Sequence, residues 1–266
     1  MFPYSIATLY KRLSWWQSCA ALLLFVCSTS ATAGDLVSTV ASVKRSIVAI
    51  GSHLPTRSPA VSFSGTGFVV GDGLTVITNA HVLPNVIDSE RKETLGIVLA
   101  AGEGVQFRPA VLEALDREHD LARLRLSGAP LPALRLGEPD ASAEGMALAF
   151  TGFPLGVTLG LHPATHRATL AAITPAVMPT RTTQGLNASV VAQLRKSPFH
   201  LYQLDATAYP GNSGSPLYDP DSGAVVGVIT MGLLKGNKES AITNPSGITY
   251  AVPVRFVHAL MQQKSP

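Results

Sequence analysis

Three short segments of the sequence combine a reactive side chain with a backbone suited to catalysis. His81 follows an apolar run and is flanked by small residues, a position that suits a general base. Asp120 begins an alternating apolar segment, where its carboxylate could be held in a desolvated site. Ser213 lies in the Gly- and Pro-rich segment 209–216, and such a turn can direct N–H groups at an oxyanion while exposing the hydroxyl. Each segment alone also fits a structural histidine, a strand-start aspartate or a surface loop, but together, in this order, they favour nucleophilic catalysis by a serine.

Short strands are the elements that would position these segments. Strand-length apolar runs are separated by Gly, Pro, Asp and Ser, a pattern typical of an all-β barrel or sandwich. Helical periodicity is confined to 35–44, 253–263 and, more weakly, 187–196. The predicted strands are 47–50, 67–70, 75–77, 96–99, 121–126, 147–150, 201–204, 225–230 and 248–252.

The composition is that of a globular chain. The 266 residues are 46% hydrophobic and 14% charged, which argues against disorder and predicts one large domain or two small ones. The formal net charge is +3 and no basic run occurs, so nucleic acid is not an expected partner.

The first 33 residues have the layout of a secretory signal peptide. Two basic residues precede a short apolar run, 19–27, and the segment ends in the small residues 31–33. The run is too short to span a hydrocarbon core of about 30 Å, although a preceding pair of tryptophans leaves an uncleaved anchor as the alternative. Cleavage after Ala33 would remove every Cys and Trp. The mature domain, 34–266, is then expected to be periplasmic or secreted, with no stable membrane span.

Motifs along the chain resemble those of trypsin-like (chymotrypsin-fold) serine peptidases, and among these the HtrA/Deg-like bacterial branch. The resemblance runs from about 36 to 257, nearly the whole mature chain. The opening-strand motif is Ser64-Gly65-Thr66-Gly67-Phe68, and the catalytic-histidine motif is Thr78-Asn79-Ala80-His81-Val82. The aspartate motif is Asp116 with Asp120-Leu121-Ala122-Arg123-Leu124, and the second-barrel turn is Gly152-Phe153-Pro154-Leu155-Gly156. The nucleophile motif is Gly211-Asn212-Ser213-Gly214, and the last strand is Gly247-Ile248-Thr249-Tyr250-Ala251-Val252-Pro253.

The resemblance implies an all-β fold of two six-stranded antiparallel β-barrels of chymotrypsin type. The active site is expected in the cleft between the barrels, with short helices at both ends of the domain. The first barrel is expected at about 45–145, the second at about 146–253 and the C-terminal helix at 254–264. Few residues follow the last strand, so the PDZ domain usual in HtrA proteins is not expected.

The resemblance also implies a catalytic triad. Ser213 would attack a peptide carbonyl, His81 would take its proton, and Asp120 would orient the imidazole and stabilise its charged form. The N–H groups of Gly211 and Ser213 would form the oxyanion hole. Asn212 replaces the Asp that digestive proteases use to bind a newly released N-terminal amine, so activation by that route is not expected.

The acid of the triad has two rivals by proximity, Asp116 and Glu118. The family motif places the acid directly before Leu-Ala-x-Leu, which favours Asp120. His119 is then interpreted as a spectator that faces the other way, because neighbouring strand residues point to opposite faces.

The specificity pocket implied by family correspondence is small, neutral and mostly apolar. Ile229 stands where glutamyl endopeptidases place a carboxylate-binding His, so a preference for Glu is not expected. Ala, Val, Leu or Met is expected before the cleaved bond. The predicted floor is Thr207 and Ala208, and the predicted wall is Thr230, Met231 and Gly232.

These residues predict an exported serine endopeptidase that acts on unfolded or exposed polypeptides. The alternative is a catalytically weak peptide-binding or chaperone-like module that retains the fold. No cofactor or metal is expected: His162 and His166 are four apart, but Pro163 and a loop-like context oppose a helix and no third ligand is evident. A monomer is favoured over a trimer, because 34–46 lacks the aromatic residues by which such proteins often trimerise.

Overall fold

The computed structural model describes residues 36–84, 87–101, 104–156, 160–176, 199–231 and 247–264. Within these ranges the chain forms mostly β-strands, with a short α-helix near either end, so the all-β prediction is confirmed. The predicted signal peptide and the weak helix at 187–196 lie outside the described residues. The elements are α1 Leu36–Lys44, β1 Ile47–His53, β2 Val61–Val70, β3 Thr75–Thr78, β4 Thr94–Ala101, β5 Gly104–Asp116, β6 Leu121–Leu126, β7 Ala147–Gly152, β8 Ala164–Pro175, β9 His200–Asp205, β10 Pro216–Tyr218, β11 Val225–Thr230, β12 Ile248–Pro253 and α2 Val254–Gln262.

The strands close into two antiparallel barrels of one topology. The first barrel has the neighbour order β1-β2-β3-β6-β5-β4, and the second has the order β7-β8-β9-β12-β11-β10. Closure pairs every strand on both sides and leaves no free sheet edge within a barrel. The two-barrel architecture implied by the family resemblance is therefore confirmed.

Most strands are buried on both faces because the barrels also pack on each other. In β1, Val48 and Ile50 belong to the interior of the first barrel, whereas Ile47 and Ala49 belong to a second apolar cluster. That second cluster also contains residues of the other barrel, such as Val228. Alternate residues of a strand point to opposite faces, so one continuous apolar run supplies both layers. A third cluster fills the interior of the second barrel.

The helix α2 packs against strands of both barrels. Its Val254, Val257 and Leu260 side chains are buried, on the face that sequence periodicity predicts. The buried guanidinium of Arg123 in β6 donates to the carbonyls of Leu260, Met261 and Gln263, at the C-terminal end of α2, at 2.8 to 2.9 Å. The last carbonyls of a helix have no N–H partner four residues on, so these bonds from Arg123 fix the C-terminal end of α2. Among the described residues, no helix has the length and apolar character needed to cross a membrane.

Candidate active site

Two neighbouring strands bring His81 and Asp120 to the same end of the first barrel. β3 and β6 are antiparallel, and Thr78, the last residue of β3, pairs with Ala122 near the start of β6. His81 lies in a short 3-10 turn that follows β3, and Asp120 directly precedes β6. The strand register therefore makes the two side chains neighbours although they are far apart in sequence.

The carboxylate of Asp120 holds His81 at two points. Asp120 Oδ2 lies 2.7 Å from His81 Nδ1, and Oδ1 accepts the His81 N–H at 3.0 Å. Thr230 in β11 donates its hydroxyl to the same Oδ2 at 2.8 Å. Asp120 has a left-handed backbone, with φ 55°, and its carbonyl accepts hydrogen bonds from Ala80 N–H and the Asn79 amide. A buried acid thus orients an imidazole that is itself 36% exposed.

The turn that carries Ser213 is held by both barrels. The Thr66 N–H in β2 donates to Ser213 O at 2.9 Å, and the N–H after Ser213 donates to Ile229 O at 2.9 Å. Ile229 immediately precedes Thr230 in β11. The strand β11 therefore binds the Ser213 turn through Ile229 and the Asp120 carboxylate through Thr230.

Two N–H groups of this turn are left available. The Asn212 N–H donates to Tyr209 O, and the Ser215 N–H donates to Asn212 O. The N–H groups of Gly211 and Ser213 donate to no acceptor in the described part of the chain. Two free donors beside a serine hydroxyl are the arrangement that an oxyanion hole requires.

Glycine is required on both sides of the serine. Gly214 has φ +87°, and an added Cβ would lie 2.0 Å from Thr66 O and 2.6 Å from Thr78 Oγ1. Gly211 has φ +101°, and an added Cβ would lie 2.2 Å from Phe153 O. The Gly-x-Ser-Gly motif is thus dictated by positive φ angles and by close backbone approach.

A second histidine–aspartate pair, His119 and Asp116, directly precedes Asp120 in sequence. Asp116 Oδ2 is 2.6 Å from His119 Nδ1, and Oδ1 accepts the His119 N–H at 3.0 Å. The His119 ring stacks on Phe256 of α2, with centroids 3.8 Å apart, and meets Phe199 edge-on at 4.7 Å. Glu118 is exposed. Asp116 is therefore engaged by a different histidine, and His119 is part of a packed aromatic cluster.

The residues predicted for the specificity pocket lie in different surroundings. Ala208 and Met231 pack with the apolar core of the second barrel, and Thr207 is half-buried. The Thr230 hydroxyl donates to Asp120, the acid of the first histidine–aspartate pair. Gly232 lies outside the described residues.

His166 does not lie in the loop that the sequence suggested. It lies in β8, directly across from Phe150 of β7, and the two rings stack with centroids 4.8 Å apart. Burial lowers the pKa of His166 below its ordinary value of 6.5. Within the described residues, no group of three or more His, Cys, Asp or Glu side chains is arranged to hold a metal ion.

Thr66 is a site residue to which the sequence analysis gave no role. Its buried hydroxyl donates to Gly211 O at 2.7 Å and accepts the Phe153 N–H at 3.0 Å. The only sequence signal is its position between two glycines of the opening-strand motif. That signal does not reveal partners in the other barrel.

Comparisons with known proteins show which proteins this chain is similar to. A family model described as a trypsin-like peptidase domain matches residues 65–228, more than half of the chain. A mitochondrial serine protease HTRA2 of Drosophila pseudoobscura pseudoobscura is 29% identical over 209 residues, covering 77% of this chain and 40% of the relative. That of Drosophila willistoni is also 29% identical, covering 77% and 39%. The chain thus spans about 40% of the length of these curated relatives.

Solved structures share the fold. An HtrA-type protease AlgW with tripeptide matches with a TM-score of 0.58 and 23% identity, over 86% of this chain and 62% of that chain. Deg5 matches with a TM-score of 0.58 and 21% identity, over 84% and 90% of the two chains.

Proposed function

Because the chain belongs to the trypsin-like peptidase family, we propose that it is an exported serine endopeptidase with Ser213, His81 and Asp120 as its triad. The observation that carries this proposal is the buried Asp120 carboxylate, which is 2.7 Å from His81 Nδ1 and is joined through β11 to the Ser213 turn. A serine turn with two free N–H donors supports the same conclusion.

The mechanism follows from the orientation of the imidazole. With Nδ1–H donating to Asp120, His81 keeps Nε2 free to take the Ser213 proton. Ser213 Oγ then adds to the peptide carbonyl, and the oxyanion is stabilised by the N–H groups of Gly211 and Ser213. The imidazolium, balanced by the buried carboxylate, gives its proton to the leaving amine. Water releases the acyl group by the same route.

Labelling with a fluorophosphonate probe tests this activity. The wild type should react and Ser213→Ala should not. Ser215→Ala is the matched control, because Ser215 lies in the same segment, 209–216, but is fully buried, and this variant should label like the wild type. A wild type that binds unfolded casein but neither labels nor cleaves it would favour the chaperone-like alternative.

The proposed substrates are unfolded or exposed polypeptides cut after small or medium apolar residues. Ala208 and Met231 offer apolar surface, and a Lys or Arg side chain would be buried there without a carboxylate. One methylene changes discrimination by only about 1–3 kcal/mol, so the preference should be broad. Mass-spectrometric mapping of cuts in casein checks this, and cuts concentrated after Lys, Arg or Glu would contradict it.

Export and the monomeric state complete the proposal. Cleavage after Ala33 should give an intact mass that matches residues 34–266, without Trp fluorescence. Size-exclusion chromatography with light scattering should report a monomer. A secreted form that retains Trp emission would contradict the cleavage site.

A further inference from the structure

The Gly211 carbonyl is fixed by one side chain of the first barrel. Thr66 is fully buried, and its hydroxyl donates to Gly211 O at 2.7 Å while it accepts the Phe153 N–H at 3.0 Å. The Thr66 backbone N–H also donates to Ser213 O at 2.9 Å. One residue of β2 therefore contacts the serine turn twice and the 152–156 turn once.

These contacts determine how the peptide groups around Gly211 are oriented. In the peptide that follows Gly211, the carbonyl is bound by Thr66 and the Asn212 N–H donates back within the turn. In the peptide that precedes it, Pro210 O accepts the Leu155 N–H at 2.8 Å. The C=O and N–H of a planar trans peptide point in opposite directions. The Gly211 N–H is therefore directed away from Leu155 and is left free for an oxyanion.

The 152–156 turn itself depends on Thr66. Leu155 has φ 53°, a left-handed conformation that is uncommon for a residue other than glycine, so surrounding contacts must hold it. Without the Thr66 hydroxyl, the half-buried Gly211 O and the buried Phe153 N–H would both lose their partner. Rotation of the adjoining peptides is the way to recover hydrogen bonds, and rotation at 210–211 would withdraw the Gly211 N–H.

We propose that the Thr66 hydroxyl is a positioning group for the oxyanion hole, which it organises from the first barrel by fixing Gly211 and the 152–156 turn. This inference rests on the proposed peptidase function and deepens it. Thr66 acts through Gly211 and not on the substrate itself. Removal of the Thr66 hydroxyl should therefore destabilise the transition state more than the bound substrate. The reason is that the oxyanion depends on the Gly211 N–H more strongly than the ground-state carbonyl does.

The test compares Thr66→Val, which replaces the hydroxyl by a methyl group, with Thr66→Ser, which keeps it. Loss of a whole oxyanion donor costs about 10²–10³-fold in kcat, so Thr66→Val is expected to lower kcat by about 10- to 100-fold, with KM within about threefold. Affinity for a peptide boronic acid, which forms a tetrahedral adduct, should fall by the same factor. Thr66→Ser should stay within about threefold of the wild type. All rates are normalised to sites titrated with the fluorophosphonate probe.

Thr75→Val is the control for removal of a buried threonine hydroxyl. Thr75 lies in β3 of the same barrel, and its hydroxyl contacts the side chains of Asp72 and Arg125. This variant should keep kcat and boronate affinity.

The inference would be overturned if Thr66→Val turned over within threefold of Thr75→Val, if its loss lay in KM alone, or if Thr66→Ser were equally impaired. If Thr66→Val does not fold, the smaller Thr66→Ala takes its place in the same assays. A wild type that neither labels nor cleaves would instead contradict the peptidase function, so the two failures are distinguishable.

Discussion

Among the described residues, two histidine–aspartate pairs have nearly the same geometry in different surroundings. The Nδ1–carboxylate distances are 2.7 and 2.6 Å, and in both pairs the other carboxylate oxygen accepts the histidine's own N–H at 3.0 Å. The His81 side chain is 36% exposed, and its acid is joined through β11 to a serine turn. The His119 side chain is 18% exposed and is stacked on Phe256. The geometry of the pair alone therefore does not distinguish the two histidines; the exposure of the imidazole and the link from its acid to the serine turn do.

The largest expected effect separates the two histidines. Ser213→Ala and His81→Ala should each lower kcat by about 10⁶-fold, and the double variant should be scarcely worse, because triad members act as one unit. His119→Ala should retain kcat within about threefold per titrated site. Steady-state peptide hydrolysis measures all four proteins. Losses that multiply in the double variant, or a His119→Ala loss as large as that of His81→Ala, would contradict the assignment.

The two acids should differ almost as strongly. Asp120→Asn keeps the shape of the side chain but lets an amide favour the wrong imidazole tautomer, and in the Ser-His-Asp template this costs about 10⁴-fold in kcat. Asp116→Asn makes the same change in the second pair and should alter kcat by less than about threefold. Equal losses in the two variants would show that both pairs serve the reaction.

The choice between these acids shows what the sequence could and could not predict about the site. Local spacing leaves Asp116, Glu118 and Asp120 as alternatives, and only motif resemblance favours the last. The structure brings Asp120 to His81 through the register of β3 on β6, a pairing between distant segments that no local pattern encodes. Thr66 went unassigned for the same reason, since its hydroxyl partner Gly211 is 145 residues away in sequence.

The hydrogen bond from the Thr230 hydroxyl distinguishes the Asp120 pair from the Asp116 pair, and its loss should lower kcat moderately. Thr230→Val removes the hydroxyl that donates to Asp120 Oδ2, so the carboxylate is held less firmly and kcat should fall by about tenfold with KM nearly unchanged. Thr151→Val is the matched control, because Thr151 is equally buried and its hydroxyl contacts only Thr165 and Tyr218 among the described residues. A loss of the same size in Thr151→Val would indicate a general packing effect.

Local apolar patterns predicted fewer of the strands than the family motifs did. The apolar runs predicted most strands, but not β5, β8 or β10. β5 exposes much of its outer face, including Val111, β8 is rich in Ala and Thr, and β10 has three residues, so none presents a continuous β-branched run. The resemblance implied six strands per barrel and so supplied the missing ones. β-propensity is a weak predictor of a strand whose conformation is determined by barrel closure and not by the strand's own sequence.

His166 contrasts with both carboxylate-bound histidines, because its buried Nε2 has no hydrogen-bond partner among the described residues. Burial lowers its pKa below 6.5, so the unfolded chain binds this proton more readily than the folded protein. Its contribution to stability is therefore present at high pH and is lost as the pH falls through 6.5 towards the folded-state pKa. His166→Phe keeps the ring stacked on Phe150 but removes the titration. Between about pH 7.5 and about pH 5, the melting temperature of this variant should fall less than that of the wild type, by about 2 °C, in thermal unfolding followed by circular dichroism. Parallel pH curves for the two proteins would mean that His166 titrates normally in the folded state.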